Sequence, residues 1–480
     1  MDEIATWESI PPPSCAKIDF QAVFCLQEER NMKYKNALYA VVVLLVVSVS
    51  ACVKPTALTS QPPVADTPIT SAGDLSITNT NSFIDSRGTY HVVGVVINNG
   101  NTVVTSIELT IEIKDSSGIS LLKDNAGGIA PNAIAYPMLY TLAPGESSPF
   151  DYSYETTGGM PASYNVLITG QATGSSTRAT LQTENVQLVD DGTGSYYLTG
   201  DLVNTGSQWA HINSLAGAVL DDSGNVLSAN SNAIFTIELA PIGDANGRDR
   251  TPFEINIPNP GGGTQWHVYM DVNVIENVTD YLLDVKVTNT YFDQYDSAHI
   301  VGWVTNNSNE QLKPRVVAGL YSADGTALDA SYSFVPVPMK PGTAIPFTIS
   351  SFASVNNNTN LAALVSTFST RFDPGETTPS SYELVELSDA GGTVLKDGAT
   401  WTFDGSITNT SDKSLGGITV MAMIMDAQNT MVAMEYTTIY PTGDAIMLGE
   451  TNPYSISVYL SPTADSAGYT TSVMVIGDVK

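Results

Sequence analysis

One five-residue pattern, G-x-[VLI]-x-N, occurs four times in this chain, at residues 94–98, 200–204, 302–306 and 405–409. Its glycines stand 106, 102 and 103 residues apart. Such even spacing constrains the chain to write out one unit of about a hundred residues four times, each close to the size of a small domain. Two residues before each glycine stand Val92, Leu198, Ile300 and Phe403, and two after stand Val96, Leu202, Val304 and Ile407. All eight are apolar. The positions between them vary: Val93, Thr199, Val301 and Asp404 on one side, Val95, Asp201, Trp303 and Ser406 on the other. One restricted and one variable face at period two predict a half-buried strand with the variable residues outward. The asparagine that follows suits a turn, where its side chain can bond nearby backbone.

Two further landmarks keep the same register. In the first unit Ile107, Leu109, Ile111 and Ile113 alternate with polar residues and run into Asp115-Ser116-Ser117-Gly118. Matching turns end at Gly224, Gly325 and Asn429, so the distance from the marker glycine is 24, 24, 23 and 24 residues. Gly and Asn at that position suit a hairpin turn with positive φ. Later in each unit a proline precedes an aromatic residue: Pro149-Phe150, Pro252-Phe253, Pro346-Phe347 and Pro453-Tyr454. Proline favours strand starts and edges, so the aromatic is expected to open a strand and face the core. Each unit then closes on an apolar strand, such as Val166-Leu167-Ile168 or Val473-Met474-Val475-Ile476.

Strands about ten residues apart, with no helical periodicity, predict an all-β chain of four tandem immunoglobulin-like β-sandwich domains. Their expected bounds are 75–173, 179–277, 280–372 and 381–480. Residues 174–177 and 373–380 are expected as linkers, the second and third domains nearly abut, and the whole is expected as a rod with modest hinges. The order G-x-V-x-N, a strand ending in a Phe-x-Leu-Tyr-Asp-like segment, and a proline–aromatic corner resembles the FxLYD domain. The matching segments are 111–115, 217–221, 318–322 and 422–426; the aspartate is present in three and the namesake phenylalanine in none. The resemblance implies an envelope protein or lipoprotein of bacterial or archaeal type and supplies no catalytic residues.

The N-terminal part agrees with export. Lys33 and Lys35 precede an apolar run at 37–47 that is too short to span a bilayer core of about 30 Å, and Val49-Ser50-Ala51-Cys52 follows. Residues 32–51 therefore read as a lipoprotein signal peptide, with Cys52 the lipidated residue and 52–74, rich in Pro, Ser and Thr, a flexible tether. Met32 is the expected start, and 1–31 reads as a gene-model extension. The chain has three cysteines, Cys15, Cys25 and Cys52, so the repeats contain neither disulfide nor thiolate chemistry. A formal charge of −30 repels phosphate backbones and argues against nucleic acid.

Candidate chemistry is sparse. His91 and His299 occupy the same repeat position, where Tyr197 and Thr402 stand in the other copies; that tolerance predicts an outward strand site. The chain contains no G-x-S-x-G, H-E-x-x-H or P-loop pattern, so no enzyme and no cofactor is expected. Asp221, Asp222, Asp244 and Asn246 place oxygens in loops, as Ca²⁺ requires, but equally suit hairpin turns, and no metal site is expected. Trp303 points outward, either to stack on a sugar ring or to meet a neighbouring domain, with the abutting second domain the expected neighbour. Formal glycosylation sequons begin at Asn277, Asn306, Asn357 and Asn409, most expected to be unused. The sequence thus predicts an exported, lipid-anchored, non-catalytic stalk at the cell membrane or envelope, facing outside the cytoplasm. The alternative is an accessory lipoprotein that binds a polysaccharide or solute through exposed aromatics; the envelope partner is not specified.

Overall fold

Antiparallel strands closed by tight turns make up the architecture of the computed structural model, which describes residues 74–480 apart from 233, 277, 279–280, 351–363, 378–381 and 390. The expected extension, signal peptide, Cys52 and nearly all of the tether lie outside the described residues. The first repeat supplies β1 (Leu75–Ile84), β2 (Thr89–Asn98), β3 (Val104–Lys114), β4 (Ala133–Ala135), β5 (Thr141–Leu142), β6 (Ser147–Glu155) and β7 (Ser163–Thr173). They form one sheet in the order β1-β2-β6 and a second in which β3 pairs with β4 and β5 on one edge and β7 on the other.

The second repeat supplies β8 (Leu181–Asp190), β9 (Ser195–Asn204), β10 (Trp209–Leu220), β11 (Val226–Ser231), β12 (Glu238–Leu239), β13 (Arg250–Pro258) and β14 (Gln265–Ile275). Its sheets are β8-β9-β13, and β10 flanked by β11, β12 and β14. The third gives β15 (Leu283–Phe292), β16 (Ala298–Asn306), β17 (Leu312–Tyr321), β18 (Ala327–Phe334), β19 (Ala344–Ile349) and β20 (Thr367–Thr377), in the orders β15-β16-β19 and β18-β17-β20. The fourth gives β21 (Leu384–Leu387), β22 (Thr393–Asp397), β23 (Thr400–Thr408), β24 (Leu415–Met425), β25 (Met431–Ile439), β26 (Thr451–Tyr459) and β27 (Thr470–Val479), in the orders β22-β23-β26 and β21-β27-β24-β25. Among the described residues the chain is thus all-β, with eight antiparallel sheets, two from each repeat.

The landmarks explain one another once paired. Each marker glycine lies directly across from the corner aromatic on the next strand: Gly94 from Phe150, Gly200 from Phe253, Gly302 from Phe347 and Gly405 from Tyr454. A Cβ on any of these glycines would fall within 2.6–2.8 Å of that ring. The glycine is therefore space for the aromatic side chain, which is buried in all four repeats. The asparagines at 98, 204, 306 and 409 are also fully buried. Each donates from Nδ2 to the carbonyl four residues on and to a carbonyl of the loop before the aromatic strand, such as Leu142 (3.0 Å) and Met339 (2.9 Å). Its Oδ1 accepts the amide two residues on. Only an amide side chain offers two donors and an acceptor in that shape.

The face expected to be outward is not free. Among the variable residues Val93, Thr199 and Val301 are fully buried, whereas Asp404 is exposed. The cause is face-to-face stacking between consecutive repeats. Strand β11 lies across β1, β2 and β6; β18 lies across β8, β9 and β13; β25 lies across β15, β16 and β19. Strands in the middle of the series are accordingly covered on both faces, and the described residues pack as one compact unit. The first and last sheets keep alternation of buried and accessible residues, over Ile107–Lys114 of β3 and Tyr454–Tyr459 of β26. This corrects the expectation of an outward face in the first three repeats. Residues 373–377, expected as linker, also continue β20, with Pro374 and Gly375 in the bulge where the register shifts between Lys313 and Arg315, a place where a strand tolerates proline.

Candidate functional site

Buried polar side chains gather where one repeat covers the next. At the first junction Arg178 donates to the Thr141 carbonyl (2.8 Å) and pairs with Glu146 of the first repeat and with Asp271 of the second. The side chain thereby bolts what was expected to be a hinge. At the second, Tyr321 donates its hydroxyl to Asp201 (2.6 Å), and Thr199 and Gln187 donate to the Ala327 carbonyl (2.6 and 2.8 Å). At the third, Asn289, which matches Gln187 in register, donates to the Val432 carbonyl (2.8 Å).

The histidines correct the expectation of an outward site. His91 and His299 are 6% and 3% exposed. Each stacks on the aromatic residue paired with it, Phe83 at 4.7 Å and Tyr291 at 4.8 Å. His91 holds Asp151 at 2.8 Å and lies 3.7 Å from Asp85. Burial disfavours its charged form, but the Asp151 hydrogen bond and the two carboxylates outweigh that and raise its pKa. His299 holds Asp293 at 3.0 Å and lies 4.0 Å from Glu435 on β25. There burial dominates and lowers the imidazole pKa, while burial of Glu435 pushes its carboxyl up to about 7. Glu254 and Asp329 face each other across the second junction; burial, then the hydrogen bond of its protonated carboxyl to Glu254 and repulsion from that carboxylate, raise Asp329 well above the carboxylate range, and burial raises Glu254. All three junctions therefore enclose titratable groups.

Trp303 does meet a neighbouring repeat, but it is the fourth and not the second. It is half-buried against the core shared by the third and fourth repeats. A cavity of about 430 Å³ opens beside it, lined by Trp303, Glu386, Met423, Met425, Met474 and Ser472 among others. The matching position is Val95 at the first junction and Asp201, bonded to Tyr321, at the second. The sequence marked Trp303 by its place on the strand. It did not mark the methionines that complete the cavity, although Met421-Ala422-Met423-Ile424-Met425 alternates at period two.

The aspartates considered for calcium make local hydrogen bonds. Asp221 accepts the amides of Ser223 and Asn225 (both 2.8 Å), the same hairpin closure that Asp115 and Asp426 make in their repeats. Asp222 accepts the Thr264 hydroxyl (2.6 Å). Asp244 is bound by the Arg248 guanidinium (2.9 Å) and by the Asn246 and Arg248 amides. Arg248 first, then those amides, hold the Asp244 carboxyl below its ordinary value. Of the sequons, Asn306 and Asn409 are fully buried by the amide network described above, so the folded chain offers neither to a glycosyl donor.

No family model matches the chain, and no curated protein matches it. Among solved structures it is similar to the native conformation of E. coli alpha-2-macroglobulin, with 9% sequence identity and a TM-score of 0.12; the match covers 83% of this chain and 28% of that one. The chain therefore spans less than a third of that protein's length, and a TM-score this low establishes no shared fold.

Proposed function

We propose that the chain is an exported, lipid-anchored envelope protein whose four repeats are tandem immunoglobulin-like domains of FxLYD type, acting as a non-catalytic stalk and interaction module. The observation that supports this most is the repeated junction. Matching register positions carry contacts between consecutive repeats, Gln187 with the Ala327 carbonyl and Asn289 with the Val432 carbonyl. A stack of this kind transmits position and presents its terminal faces and loops. The anchor is Cys52, where acyl chains would each add about 0.8 kcal/mol of membrane affinity per buried methylene. Cys52→Ala should move the protein from the membrane to the soluble fraction on fractionation of cells expressing the full chain. Unchanged membrane association would refute lipidation there. A second reading, binding of a solute by this accessory protein, is favoured by the cavity beside Trp303.

A further inference from the structure

Seven of the chain's 13 methionines fall in the fourth repeat, at 421, 423, 425, 431, 434, 447 and 474. Three of them, Met423, Met425 and Met474, line the cavity at the third junction. Met423 and Met425 are alternate residues of β24, so both project from the face that covers the third repeat. Met474 pairs with Met421 and Ser472 with Met423, which makes Met474 the diagonal cross-strand neighbour of Met423. Diagonal neighbours lie about 7–8 Å apart, within reach of long side chains. Three flexible thioethers can thus meet over one point. The positions matching Met423 and Met425 are Ala218 and Leu220 in the second repeat and Gly319 and Tyr321 in the third, so the thioethers are particular to this junction.

Methionine often serves as pliable filling for irregular cores. Filling, however, would close the gap, and here about 430 Å³ stays open. The lining offers soft sulfur donors, the indole of Trp303, the neutral side-chain oxygens of Asn429 and Ser472, and one carboxylate, Glu386, which is exposed. Oxygen-seeking cations such as Ca²⁺ and Mg²⁺ need many oxygens, and this lining does not supply them. Thioethers select soft ions, and an indole face attracts a cation placed over it. We propose that the cavity is a binding site for a soft monovalent metal ion, Cu(I) or Ag(I), held by Met423, Met425 and Met474 beside Trp303. The strongly acidic chain raises the local concentration of cations and so favours entry.

Silver is the simpler probe, because it needs no reductant. The full chain, with Cys15, Cys25 and Cys52 alkylated, is titrated with Ag(I) in chloride-free buffer by calorimetry and tryptophan emission. One ion should bind per chain, with a Kd of about 1 µM or tighter, and should quench emission. The quench should vanish in Trp303→Phe. The variant carrying Met423→Leu, Met425→Leu and Met474→Leu keeps nearly the same volume and should lose the site at an unchanged Tm. If that variant fails to fold, Met474→Leu alone should weaken binding by about tenfold or more. Absence of saturable binding to the unaltered chain, or undiminished affinity in the leucine variants, would overturn the assignment.

Discussion

The marker glycines hold the fold at the level of single atoms, and they are not equivalent. A Cβ on Gly405 would first meet the Tyr454 side chain, at 2.6 Å, whereas one on Gly302 would first meet backbone, 2.3 Å from the Lys286 carbonyl oxygen, as well as Phe347 at 2.8 Å. A ring can tilt; a paired strand cannot retreat without losing its ladder. Gly405→Ala should therefore cost about 1–3 kcal/mol, as overpacking does, and Gly302→Ala distinctly more, measured by urea unfolding. Equal losses would show that the backbone contact does not matter. Glu435 carries a pH signature of its own. Its folded pKa of about 7 lies above its ordinary value, so between about pH 4.5 and 7 the folded chain keeps a proton that the unfolded chain has released. Stability contributed at low pH is lost as pH rises through that window. Glu435→Gln should match the parent near pH 4 and exceed it by about 2–3 kcal/mol at pH 8. A Tm gap that does not change with pH would contradict this.

At the scale of strands, the question is why some faces were legible and others were not. The inward residues, the corner aromatics and the hairpin turns follow from period two and turn chemistry alone, and the pairing of Gly94 with Phe150 joins two motifs that the sequence showed separately. The covered outer face was also written in the chain, though less plainly. Strand β3 alternates Ile107, Leu109, Ile111 and Ile113 with polar residues because only one of its faces is buried. By contrast β17 reads Val316-Val317-Ala318-Gly319-Leu320 and β24 reads Ile418 to Met425 with hardly a polar break. Continuous apolar runs of this kind mark strands buried on both faces. Thr199, Asp201 and His91 hid the same fact at other positions, because a polar residue with a buried partner looks like an exposed one in sequence. The cavity beside Trp303 needed the third dimension, since its lining comes from β16, β21, β24 and β27. The asymmetry between strands gives a direct comparison. Val301→Asp should cost about 3 kcal/mol or more, as it buries an unpaired charge, whereas Asp404→Val, on the uncovered last sheet, should stay within about 0.5 kcal/mol. Thermal melts that ranked the two the other way would place the covered face wrongly.

For the whole molecule, stacking turns four similar units into one series in which every interior sheet depends on its neighbour. Stability in such an array is the sum of unit and junction contributions, and the end units need polar outer faces. The first and last sheets meet that need: Glu108, Thr110 and Glu112 on β3, and Ser455 and Ser457 on β26. All of this rests on the claim that the outward strand positions of the first three repeats are sealed by the repeat that follows. Single cysteines at 93, 199, 301 and 404, introduced one at a time with Cys15, Cys25 and Cys52 replaced by serine, test it directly by the rate of thiol labelling under native conditions. The account predicts immediate labelling at 404 and labelling at 93, 199 and 301 only on unfolding; four equally fast rates would contradict it.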